Sequence, residues 1–199
     1  MHNVLIYTIK ILDISVSLHV CWAKKKVQEI VKMHLQEKPP AFTPEVTIRE
    51  FEPGDEISFR RLNEEWIERY FRIEPKEAAM LANPRSTILD PGGKIFFALI
   101  DGKRVGCCAL RRMSDCEFEV AKMAVTRDFQ GAGIGRKLLH TIIEAGRALG
   151  ARRLYLETNH ILTPAIRLYE SMGFRHLPPE RIVPSEYVRA DVYMELFLL

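Results

Sequence analysis

The chain has 199 residues, 47% hydrophobic and 28% charged, which sets it as one globular domain with room for an appendage and excludes a disordered chain. Its 29 Lys+Arg nearly balance 26 Asp+Glu for a net charge of +3, so there is no basic footprint for nucleic acid. Cys21, Cys107, Cys108 and Cys116 form neither a CxxC pair nor a Cys/His cluster. That pattern argues against a metal site and for reduced, buried thiols in a cytoplasmic protein.

Residues 1–44 read as a peripheral N-terminal extension, helical or disordered. Lys10 and Asp13 interrupt the apolar "NVLIYTI" and "ISVSLHVCWA". No run therefore approaches the roughly 20 residues of a membrane span. A secretory leader fits poorly, because "KKK" follows the apolar part instead of a small-residue cleavage site. Residues 22–36 carry a helical stripe of Val27, Ile30, Val31 and His34, and "EKPPAFTP" is a linker. Met33 is an alternative natural start.

The domain is expected over 45–199. "VTIREF" alternates as a first strand, and Phe59, Leu62, Trp66, Ile67 and Tyr70 recur at helical spacing over 56–71. Pro75 opens a short helix over 75–81, and 83–93 is loop. Strands 94–100 and 104–113 are joined by Asp101-Gly102, a hairpin signal, and a short turn leads into a strand at 116–125. These three make an antiparallel meander. A glycine-rich stretch then opens a helix with the stripe Leu138, Leu139, Ile142, Ile143 and Leu149, stopped by Gly150. Residues 152–159 form a strand. Thr163 and Pro164 cap a helix over 164–172 that Gly173 ends. "FRHL" and "DVYMELFL" are the last two strands, separated by the polar stretch 178–190.

Residues 128–137, "DFQGAGIGRK", raise the functional question. The NTPase loop GxxxxGK[ST] fails, because Leu138 stands where the hydroxyl should be. The dinucleotide fingerprint GxGxxG fails at Arg136, although Glu157 ends the next strand where a ribose-binding acid would sit. The form [Q/R]xxGx[G/A] fits Gln130 to Gly135. Gly133 and Gly135 allow close approach of a ligand and positive φ. Arg136 and Lys137 in a first helical turn oppose the helix dipole, a cost that a bound anion reverses.

"EVAKMAVTRDFQGAGIGRKLL", "RLYLETN" and "TPAIRLYESMGF" together resemble the GNAT superfamily of acetyl-CoA-dependent N-acetyltransferases. The resemblance covers about 46–199 and is strongest over 117–175. It implies a mixed α/β fold: a central mixed sheet of six to seven strands with an antiparallel meander first, about four flanking helices, and parallel strands 116–125 and 152–159 splayed at the cofactor site. Gln130, Gly131, Ala132, Gly133, Ile134, Gly135 and Arg136 match the pyrophosphate loop. Met123 and Val125 match the strand segment that bonds the pantetheine arm, and Asn159 matches a position beside that arm. "NHILTPAIRLYE" is longer than the usual form between Asn159 and the helix. Tyr169 matches the tyrosine near the thioester sulfur, and Glu119 a glutamate that serves as general base through water.

Alternation along the strand puts Glu119 on one face with Glu117, Ala121, Met123 and Val125. Arg60, Arg61, Arg69 and Arg72 border the acceptor region of the family and are either carboxylate binders or a solvated face. His160 and His176 are acid–base candidates that read equally well as surface residues. The implied activity is transfer of acetyl from acetyl-CoA to a primary amine of a small molecule, by direct attack in a ternary complex. The alternatives are acetylation of peptide or protein amines, and a non-catalytic acyl-CoA-binding module. Partners are then the amine acceptor and, compatibly with the family, a second copy in a homodimer.

Overall fold

The computed structural model describes residues 45–198 and, of the preceding segment, Lys26 alone. The expectations for 1–44 — the 22–36 helix, the linker, the Met33 start and the Cys21 thiol — lie outside the described residues. Strands β1 (Thr47–Glu50), β2 (Lys94–Ile100), β3 (Lys103–Arg112), β4 (Glu117–Val125), β5 (Arg153–Thr158), β6 (Arg175–His176) and β7 (Val192–Phe197) form one sheet. Its order is β1-β2-β3-β4-β5-β7-β6. Every neighbouring pair is antiparallel except β4 and β5. That parallel pair needs a crossover, and α3 (Ile134–Ala148) supplies it. The other α-helices among the described residues are α1 (Glu56–Tyr70), α2 (Pro75–Ala82) and α4 (Thr163–Ser171).

Local signals set most of these elements. Asp101 and Gly102 take φ of 48° and 73°, the paired positive angles of a tight hairpin between β2 and β3. Ile134, Leu138, Leu139, Ile142 and Ile143 form the buried stripe of α3. Leu149, expected in that stripe, is exposed, because it lies past the last helical residue where the chain turns into Gly150. Thr163 does not cap α4. Leu162 holds the cap position without a side-chain bond, since the preceding turn is already closed by Asn159, which accepts from the Ile161 and Leu162 amides at 3.0 and 2.9 Å. The expected loop over 83–93 contains a wide helical turn, Arg85–Leu89, wrapped on the buried Ile88.

The sheet has two covered faces. Phe96, Cys108, Leu110, Phe118, Val120, Leu154 and Leu156 pack with the stripe of α3 and with Tyr169 of α4. On the other face Phe97, Cys107, Ala109 and Ala124 meet Phe59, Leu62 and Ile67 of α1. Tyr155 and Tyr193 share that second side with Leu177, under the chain that follows β6.

β4 departs from simple alternation. Its register with β3 shifts between Ala121 and Ala124, so one extra residue is accommodated, and Lys122 takes φ of 51°. The bulge exchanges the faces. Met123 and Val125 pack with Phe118 and Val120 on the α3 side, while Ala124 joins the α1 side. Glu119 therefore does not share a face with Met123 and Val125, as strict alternation predicts.

Candidate active site

The β4–β5 ladder lasts for three pairs, Glu117–Arg153, Phe118–Leu154 and Glu119–Tyr155. Beyond it each strand stays paired on its other side: β4 with β3 to Val125, and β5 with β7 to Thr158. The two strands part, and a cavity of about 270 Å³ occupies the gap. Thr126 donates to Val105 of β3, so alternation turns the backbone groups of Met123 and Val125 toward the gap. Gln130 folds back and donates to the Val125 carbonyl at 3.0 Å.

One end of the gap meets the start of α3. Gly131 and Gly133 take φ of 81° and 79°, and a Cβ on either would meet nothing within 4 Å. Gly135, expected to share the positive angle, is helical instead. A Cβ there would come within 3.2 Å of both Leu168 and Met123, so its glycine serves close packing. The amides of Gly133, Ile134, Gly135 and Arg136 have no acceptor among the described residues. Four unpaired donors at the positive end of a 15-residue helix suit an anion such as a pyrophosphate. Arg136 lies along α4, donating to Ser171 Oγ at 2.9 Å and Met172 Sδ at 3.3 Å.

On the α3 side of the gap stands Tyr169. Its ring is 8% exposed and packs on Phe174 at 5.9 Å, and its hydroxyl points to Met123 Sδ at 3.8 Å. Burial pushes its phenol well above the usual range, aided by Cys108, so the hydroxyl stays protonated. On the opposite face stands Glu119, buried in the cavity wall, with its Oε2 gripped by Arg111 Nε at 2.6 Å and by Nη2. Glu117 stays outside the lining, paired with Arg153 at 3.0 Å. Asn159 also lines the cavity, but both ends of its amide are held by the protein, since Nδ2 donates to the Arg189 carbonyl.

Several lining residues are not among the site residues that the family resemblance implies. Glu157 faces the cavity two residues beyond Tyr155. It accepts from Tyr155 OH at 3.0 Å and from Ser185 Oγ, and no cation among the described residues pairs with it. Lys122 and Arg189 converge on Glu77, and Tyr187 lies beside them. A charged residue inside the apolar "VAKMAV" was a readable hint for Lys122. Nothing marked Tyr187 and Arg189 within the polar 178–190. The four arginines of α1 and its end stay out of the lining, Arg60 and Arg69 being paired with Glu64 and Glu65 along the helix. His160 pairs with Asp191 and His176 with Glu170, both exposed.

Residues 59–174 match the model of the acetyltransferase (GNAT) family. The chain belongs to the GNAT acetyltransferase family. It is 36% identical over 165 residues to mycothiol acetyltransferase of Thermomonospora curvata, which covers 76% of this chain and 52% of that relative. It thus spans about half the length of that GNAT relative. A GNAT-family acetyltransferase from Staphylococcus aureus Mu50 superposes with a TM-score of 0.72 at 19% identity, over 78% of this chain and all of that one. A Salmonella typhimurium acetyltransferase solved with acetyl-CoA superposes with a TM-score of 0.58 at 21% identity, over 77% and 94% of the two chains. These likenesses establish the GNAT fold: a mixed sheet with a parallel, parting pair at its centre.

Proposed function

We propose that the chain transfers acetyl from acetyl-CoA to the primary amine of a small molecule. The observation that carries this reading is the parted β4–β5 pair. It joins free amides at the α3 start to a protonated phenol on one face and a carboxylate on the other. The amides of Gly133 to Arg136 would hold the pyrophosphate, and the edge of Met123 and Val125 the pantetheine arm. Acetyl-CoA supplies the acyl group as a thioester. Glu119 then accepts the proton of the attacking amine through water, and Tyr169 donates one to the departing sulfur. Acid and base stand on opposite faces, so neither quenches the other.

Direct attack is supported by the cysteines. Burial pushes the Cys107 thiol up to about 12 and the Cys108 thiol well above its ordinary range, so neither is a nucleophile at neutral pH. Glu157 is the competing base, because hydroxyls alone hold it whereas Arg111 engages Glu119. The test is coenzyme A release over a panel of amines with Glu119→Gln, Glu157→Gln and Glu117→Gln. Glu119→Gln should lower kcat by roughly 10²–10⁴-fold and Glu117→Gln should do little. A greater loss with Glu157→Gln would move the base to β5. Acetyl-CoA binding with no release for any amine would instead favour a binding module.

A further inference from the structure

The acceptor half of the cavity ends in a charge cluster that the proton transfers above do not use. Lys122 and Arg189 both donate to a single oxygen, Glu77 Oε1, at 2.7 and 2.6 Å. Their side chains are 6% and 15% exposed and that of Glu77 is fully buried. Two cations thus share one oxygen of a buried carboxylate. Arg189 makes a second ion pair, with Glu74 at 3.3 Å. Donors of two cations in a wall of such low exposure favour an anionic group on a ligand that reaches them. Glu119 and Glu157, the other acids of the lining, are already engaged by Arg111 and by hydroxyls.

Two further features mark the cluster. Lys122 sits at the bulge with φ of 51°, a conformation that glycine adopts freely and a long side chain does not. Its ammonium is nonetheless kept there, 4.8 Å from the Tyr187 ring and within 3.3 Å of that hydroxyl. The cluster is also incomplete by itself. Glu77 Oε2 and Trp66 Nε1 are buried without partners, and both residues line this cavity. Trp66 Nε1 is a donor, like the cations beside it. Three donor side chains from three separate segments therefore border one space, and among the described residues no acceptor takes up the donor of Trp66.

We infer that Lys122 and Arg189, with Trp66, receive a carboxylate carried by the acceptor, so that the substrates are amino carboxylic acids and not polyamines or other simple amines. This rests on the acetyl-transfer reading. Glu77 then positions the two cations, and Glu119 serves the amine of the same molecule.

The test uses the full chain saturated with acetyl-CoA and matched acceptors: each protein amino acid, its carboxamide and its decarboxylated amine. The best acid should exceed its carboxamide in kcat/KM by about 10–100-fold, the loss expected for charge-assisted hydrogen bonds. Lys122→Met and Arg189→Gln should each bring that ratio toward one by raising KM for the acid. If Lys122→Met fails to fold, Arg189→Gln and the wild-type ratio still decide. Carboxamides or decarboxylated amines used as well as the acids overturn the inference and leave acetyl transfer standing. No coenzyme A release with any amine, from a chain that binds acetyl-CoA in titration calorimetry, removes the transferase reading and the inference with it.

Discussion

Tyr169 occupies a position where phenylalanine would pack as well. Its hydroxyl makes one long contact to a thioether, 3.8 Å away, which adds little stability. A hydroxyl kept in an apolar wall at the mouth of a cleft points to chemistry. Tyr169→Phe is therefore expected to fold normally, to bind acetyl-CoA with near-normal affinity, and to lose roughly 10² in kcat. Tyr169→Ala should in addition lose stability, by about 3–5 kcal/mol, as a large buried ring is deleted. Melting curves and kcat for both variants separate these effects, and a fully active Phe variant would remove the phenol from the mechanism. The buried thiols give a second outcome at this scale. Iodoacetamide applied to the native protein at neutral pH should leave Cys107 and Cys108 unlabelled, while the half-buried Cys116 reacts. Acetyl transfer through a cysteine would instead require one of the two to be modified with loss of turnover.

Among the elements, the start of α3 carries the sharpest expectation. Gly133 holds φ of 79° with open space around its missing Cβ. Gly133→Ala should cost only about 1–2 kcal/mol of backbone strain. Gly133→Glu puts a carboxylate where four amides await an anion, and calorimetry should find acetyl-CoA binding abolished in a folded protein. Unchanged affinity would sink the loop assignment. Both the loop and the element order were legible in the sequence, because glycine spacing, proline and apolar periodicity are local signals. The facing of β4 was not. A bulge is usually betrayed by glycine, and here a lysine takes the positive angle, so alternation carried Glu119 onto the wrong companions. The acceptor wall was hidden for a different reason. Glu77, Lys122 and Arg189 come from α2, β4 and the segment before β7, and only tertiary packing joins residues so far apart.

For the molecule as a whole, Asp55 ties the edge of the sheet to its helical layer. It is fully buried and accepts from Arg49 on β1, Arg104 on β3 and the Glu52 amide before α1. Burial alone would raise its pKa, but the bonds from Arg49, Glu52 and Arg104 outweigh it and hold the carboxyl at about 2, below its ordinary 3.8. A depressed carboxylate stabilises the fold fully above its unfolded pKa and progressively less as pH falls through the folded one. About 2 kcal/mol should therefore be present above pH ~4 and fade toward pH ~2. Asp55→Asn should melt well below the wild type at neutral pH, with the gap narrowing across that window. A gap that stays constant with pH would mean the ion pairs contribute nothing.

The parting of β4 and β5 has a consequence for the protein without its ligand. The strand ladder that joins β1–β4 to β5–β7–β6 is three pairs long, so the sheet is two plates that share a short seam. A ligand seated between them acts as a missing strand: it supplies hydrogen-bond partners where the chain has none and joins the plates along their length. Deuterium uptake should then fall on coenzyme A binding over residues 120–125 and 156–158, on the two sides of the seam, while the interior of β2 is protected with or without it.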